Sequence, residues 1–177
     1  MRSRHVLAGL ALAAFTAAPA AGQTGEALLK SMASYTPVKN LTFPVPATDV
    51  YKAVWDINAG TEKPGDIDPK FKSVANFLVM AEEAGVPRSN IKLAMVVHGN
   101  SAKNLLQNDA YKAITGVDNP NIALLEALHA AGVQIIICGQ SIPNRKLPAD
   151  KLLPFVKVSL SATFAHVTLH GQGYLQF

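Results

Sequence analysis

The sequence predicts an α/β fold, a three-layer sandwich in which helices cover a mostly parallel five-stranded sheet. Three observations carry this. Strand-like apolar runs alternate with helical segments through residues 50–177. The two most apolar runs, Ile91–Val97 and Val133–Ile137, are nearly unbroken, as in strands covered on both faces. Prolines open the segments between them and glycines close them.

Residues 23–48 show little periodicity, and Pro37, Pro44 and Pro46 mark the second half as an extended arm or loop. Val50–Ile57 is rich in β-branched and aromatic residues and reads as the first strand. Gly60–Asp68 is a polar loop. Pro69 opens a helix with Phe71, Val74, Ala75, Leu78 and Val79 on one face, and Gly85 ends it. Ile91–Val97 is the second strand, followed by short helical turns at Lys103–Gln107 and Asn108–Gly116. Asn119-Pro120 starts a helix carrying Ile122, Leu124, Leu125 and Leu128, with Gly132 as its stop. Val133–Ile137 is the third strand. Ser141 is placed to cap a short helix, and Pro148 to open another through Leu153. Val156–Leu160, Ala162–Leu169 and Tyr174–Phe177 complete the pattern as strand, helix and strand.

The N-terminus reads as an address. Met1–Arg4 is short and basic, Val6–Ala14 is apolar, and small residues follow to Gly22, the pattern of a secretory signal peptide over residues 1–22. The apolar stretch is shorter than the roughly 20 residues of a membrane-spanning helix. The expectation is therefore a periplasmic protein, with secretion the lesser option and no membrane attachment after cleavage. Residues 49–177 form the single folded domain.

The 177 residues carry 16 Lys and Arg against 12 Asp and Glu, and removing Arg2 and Arg4 with the leader reduces the net charge from +4 to +2. Nothing in that balance calls for a nucleic-acid partner. A single cysteine excludes an intramolecular disulfide and any cysteine-cluster metal site within one subunit.

In open α/β sheets, ligands bind outside the carboxyl ends of the strands, near a switch in strand order. The first strand ends in Asp56-Ile57-Asn58, the second in His98-Gly99-Asn100-Ser101, and the third in Cys138-Gly139-Gln140-Ser141. Three successive strands thus bring an amide, an imidazole and a thiol to one rim. Cys138 is the candidate nucleophile, since a thiolate at a helix start is favoured by free N–H groups and by any positive charge from Arg145 or Lys146. Its bland alternative is a buried, inert core thiol. His98, if it faces Cys138, pairs with the thiolate or relays its proton. Asn58, Gly99, Gly139, Gln140 and Ser141 are the candidate ligand-binding residues, with Gly139 allowing close approach to the sulfur. Asp56 reads as a polar partner inside the fold. His166 and His170 are spaced to face one metal, but no third ligand is evident, so no metal is expected. No nucleotide-binding or serine-hydrolase motif is present, and no cofactor is implied.

Four stretches in order, AVWDINAG, KLAMVVHGNSAKNLL, LLEALHAAGVQIIICGQSI and the C-terminal LPADKLLPFVKVSLSATFAHVTLHGQGYLQF, resemble the DsrE/DsrF-like family. That family is the sulfur-relay fold that includes TusD-type proteins. The resemblance implies a homotrimer or hexamer, and a cysteine matching Cys138 that carries sulfur as a persulfide between a donor and an acceptor thiol protein. The Gly-Gln-Ser turn after Cys138 departs from the relay proteins, as does the exported character of the chain. Three functions follow: a periplasmic sulfur carrier or sulfurtransferase-like protein, a small-ligand-binding module with Cys138 in its wall, or a partner-binding subunit whose N-terminal arm lies over a neighbour.

Overall fold

The computed structural model describes residues 25–177; the expected leader lies outside these residues. Five strands, β1 (Tyr51–Ile57), β2 (Ile91–Val97), β3 (Gln134–Cys138), β4 (Lys157–Ser159) and β5 (Leu175–Gln176), form one sheet in the order β4-β3-β2-β1-β5. Every pair is parallel. The helices are α1 (Gly25–Met32), α2 (Pro69–Glu83), α3 (Asn108–Thr115), α4 (Ile122–Ala130), α5 (Ser141–Asn144) and α6 (Ala162–Gly171). None of them is long and apolar enough to cross a membrane.

The handedness of parallel crossovers explains how the helices divide. The chain steps in one direction from β1 to β4, and right-handed connections on those steps put their helices on one face. The return from β4 across the sheet to β5 runs the other way, so α6 lands on the opposite face. The core follows this division. Odd-numbered strand residues, among them Ala53, Trp55, Leu93, Met95, Ile135 and Ile137, bury against α1, α2 and α4. Even-numbered residues Val54, Ala94, Val96 and Ile136 pack on Ala165, Leu169 and Tyr174.

Two helix starts are built as their sequences suggest. Asp68 caps α2 by accepting from Lys70 N at 3.0 Å, with Pro69 at the first helical position. Ser161 caps α6 by accepting from Phe164 N at 3.2 Å.

Several expectations need correction. Within the arm expected over residues 23–48, residues 25–32 form the helix α1, which buries Leu28 and Leu29 against α2 and α4. The third strand starts one residue later than expected and extends through Cys138. The fourth shrinks to Lys157–Ser159 because, at the sheet edge, it pairs only with β3. The helix expected from Pro148 is a single 3-10 turn over Ala149–Lys151.

Candidate functional site

The division of the sheet into odd and even faces places the rim chemistry. Asp56 continues the series of Val54, His98 that of Val96, and Cys138 that of Ile136, so all three lie on the α6 side at the carboxyl ends of β1, β2 and β3. The β2–β3 register ends at Val97–Ile137, so one further step sets His98 beside Cys138. Strands in that register lie about 4.8 Å apart.

Cys138 also occupies the switch point of the sheet. The chain after β3 turns to the α2 side, where Ile142 of α5 packs against the main core, while the chain after β4 turns to α6 on the opposite face. Cys138 and its β4 partner Ser159 stand where the two connections diverge, the place where open α/β sheets form their binding crevices. The thiol is buried, with 6% of the residue exposed.

The imidazole is held in place. His98 Nε2 lies 2.9 Å from Asp56 Oδ1, and His166 Nε2, from α6, lies 2.9 Å from the same oxygen. One carboxylate thus bridges two histidines whose positions are 68 residues apart in sequence. Burial alone would raise the Asp56 pKa, but the hydrogen bonds and charges of His166 and His98 outweigh it and hold the carboxyl below the usual carboxylate value. Asn58 Nδ2 approaches the other oxygen of Asp56 at 3.5 Å, a long contact from an exposed side chain.

The remaining rim residues hold the loops together. Gly99 has φ +54° and donates to Ser141 Oγ at 3.3 Å; a Cβ there would stand 2.7 Å from Asn58 O. Gly139 donates to Ser159 O at 2.7 Å, and a Cβ on it would meet that oxygen at 2.5 Å. Its missing side chain therefore permits close packing against β4. Gln140 Nε2 donates to Leu160 O at 3.1 Å. Ser141 does not cap α5: it is the first residue of that helix, and its hydroxyl accepts from Gly99 instead. With only four residues, α5 offers little dipole to a thiolate. Arg145 turns toward the rim and donates to Asn100 Oδ1 at 2.6 Å, and Lys103 Nζ reaches Asn100 O at 3.0 Å.

The structure thus brings Cys138 and His98 to one side of the rim and joins to them Asp56, expected only as a polar partner at the end of the first strand, and His166. Asp56 is the orienting carboxylate. His166, considered from the sequence only with His170, has turned its Nε2 to Asp56, and the two histidine rings stand 6.1 Å apart. His129 stacks on Phe155, with centroids 4.7 Å apart, far from this chemistry in the fold.

Among curated proteins, none matches the chain. Two solved structures share its fold. One is a protein of unknown function, MTH1491, from Methanobacterium thermoautotrophicum: 18% identical, with a TM-score of 0.52, over 72% of this chain and 97% of that one. The other is the ychN protein from E. coli: 21% identical, with a TM-score of 0.50, over 72% of this chain and all of that one. A family model matches residues 53–177, the segment holding all five strand ends and every residue of the rim cluster. On that match the chain belongs to the DsrE/DsrF-like family.

Proposed function

We propose that the protein is a periplasmic sulfur carrier that holds sulfane sulfur as a persulfide on Cys138. The observation that supports this reading best is the convergence of a switch-point thiol with an imidazole oriented by a carboxylate, His98 on Asp56 at 2.9 Å. An imidazole that donates through Nε2 keeps Nδ1 free to take a proton, which is what activation of a neighbouring thiol requires.

The chemistry needs no cofactor. The Cys138 thiolate attacks a sulfane sulfur of the donor, a new S–S bond forms, and the donor's own S–S bond breaks with its electron pair leaving on the departing sulfur. An acceptor thiolate then attacks the outer sulfur, and Cys138 leaves as thiolate. With no second cysteine in the chain, the persulfide has no internal thiol to resolve it into a disulfide. That suits a carrier better than a dithiol oxidoreductase. The reading assigns donor and acceptor to other thiol or polysulfide species.

The intact mass of the protein after exposure to polysulfide tests this. The expected result is a gain of one sulfur, about 32 Da, reversed by a thiol reductant and absent in Cys138→Ser. The burial of Cys138 favours a second reading, a binding module in which the thiol is wall. No mass gain, in a protein whose thiol reacts once unfolded, would select that one.

We further propose that the working form is a homo-oligomer. Parallel sheets are covered on both faces, yet among the described residues α6 alone covers the second. Leu160, Phe164 and Val167, spaced along one stripe of α6 and its lead-in, are 65%, 60% and 63% exposed. A second copy seated there completes the layer. Sedimentation of Phe164→Glu should then give a smaller particle than the wild type, and an unchanged one would place the interface elsewhere.

A further inference from the structure

We infer that His166 is a positioning residue for the Cys138 chemistry: it fixes the Asp56 carboxylate that in turn orients His98. The inference rests on the carrier reading and extends it to α6, which supplies none of the strand ends.

The geometry is specific. Asp56 Oδ1 receives Nε2 of His98 from the end of β2 and Nε2 of His166 from α6, both at 2.9 Å. Two donors on one oxygen set the carboxylate's torsion in a way that neither does alone. His166 is itself held firmly: it is 9% exposed, and its neighbours Ala165 and Leu169 on α6 are packed into the sheet on Val54, Ala94 and Val96. His98 and Asp56, by contrast, are about a quarter exposed at the rim. The buried histidine is thus the fixed end of the chain and the rim histidine its working end.

A second observation separates His166 from an ordinary packed residue. Its Nδ1 is buried with no hydrogen-bond partner. A buried orphan of this kind costs about 1–3 kcal/mol. A fold that needed only to fill this place would do so with an apolar side chain. Donation through Nε2 to Asp56 is the one polar contact that the histidine makes in return. The titratable groups facing Asp56 are His98 from β2 and His166 from α6, with His170 one turn further along α6, its ring 6.1 Å from that of His166.

Two variants test the assignment. His166→Phe keeps the ring and removes the donor, whereas His166→Gln keeps a donor on a flexible side chain. The rate of Cys138 alkylation by iodoacetamide is followed against pH in the native state, and the His98 tautomer is read from imidazole nitrogen NMR. In the wild type, His98 should carry its proton on Nε2. In His166→Phe, that tautomer should mix with the other, and the alkylation rate near pH 7 should fall about tenfold, part of the general-base contribution. His166→Gln should recover much of both. A purely structural role would lower the melting temperature and leave tautomer and pH profile unchanged, and that result overturns the inference. The carrier reading fails separately, if native wild-type Cys138 is alkylated at no pH; the His166 assignment then falls with it.

Discussion

Replacing Asp68 with alanine should lower the stability of the fold by about 4 kcal/mol, and the melting temperature by about 10 °C. The carboxylate is 1% exposed and has no cation partner among the described residues. It accepts from Lys70 N, Ser101 Oγ and Asn104 Nδ2, each at 3.0 Å. Ser101 Oγ accepts in turn from Gly60 N at 2.7 Å, and Asp68 N donates to Asn121 Oδ1 at 2.8 Å. The Asp68 side chain therefore joins the first turn of α2 to the 3-10 turn after β2 and, through Ser101, to the loop after β1, while the Asp68 backbone N–H holds the start of α4. The positive end of the 15-residue α2 supplies a fixed counter-field. Loss of the cap removes about 1 kcal/mol, and leaving buried donors unmatched adds about 1–3 kcal/mol for each that finds no water. Against a total stability of about 5–15 kcal/mol that is a severe loss. Thermal unfolding by circular dichroism reads it directly. A melting temperature within a degree or two of wild type would show that the network is replaceable by water. Tyr111 offers an internal reporter, because burial and the nearby Asp68 charge push its phenol above its ordinary pKa. In Asp68→Ala the charge contribution disappears, and the phenol should titrate at a lower pH than in wild type.

How much of this was legible in the sequence depends on the physics behind each signal. Ile91–Val97 was predicted residue for residue because a strand covered on both faces is apolar throughout and bounded by polar residues. The start of α2 was legible in Pro69, and its end in Gly85, which adopts φ +89°. The helix α1 gave no such signal: it is eight residues long and buries only Leu28 and Leu29, too few to show a period. The short edge strand β4 was overextended because Val156 and Leu160 look like strand residues, although only three residues find partners. For the site, Cys138 and His98 were visible as residues just past strands. The place of Asp56 was readable too, since strand parity puts it on the side of Val54, Val96 and Ile136. His166 was not readable. It meets Asp56 across 110 residues, through a helix whose face is set by the reversed crossover from β4 to β5. Its spacing from His170 suggested a metal pair instead, a local pattern that the tertiary contact overrides.

On the proposed carrier reading, Asp56→Asn should leave the fold intact and slow the loading of Cys138 with sulfur about a hundredfold, at the lower end of what a positioned general base contributes. The substitution keeps the shape and one acceptor oxygen for the two imidazole N–H groups, both of which bond Oδ1, but it removes the negative charge and puts an N–H₂ in place of Oδ2, beside Asn58 Nδ2. With a neutral acceptor in place of the carboxylate, the Nε2–H tautomer of His98 is favoured less, and Nδ1 is protonated in part of the population. The same variant carries a stability signature with a defined sign. The Asp56 pKa is lower in the folded protein than its ordinary value of 3.8, so the ionised carboxylate stabilises the native state. That contribution is present above the ordinary carboxyl pKa of 3.8 and is lost as the pH falls through the depressed folded-state value. The melting-temperature gap between wild type and Asp56→Asn should therefore hold above the carboxylate range and narrow as the pH falls below 3.8. A gap that did not narrow at all as the pH fell below 3.8 would mean that the carboxylate acts through packing rather than charge. A gap that narrows, with loading unchanged, would leave Asp56 as a stabilising bridge between β1 and α6, and take the proton transfer away from His98.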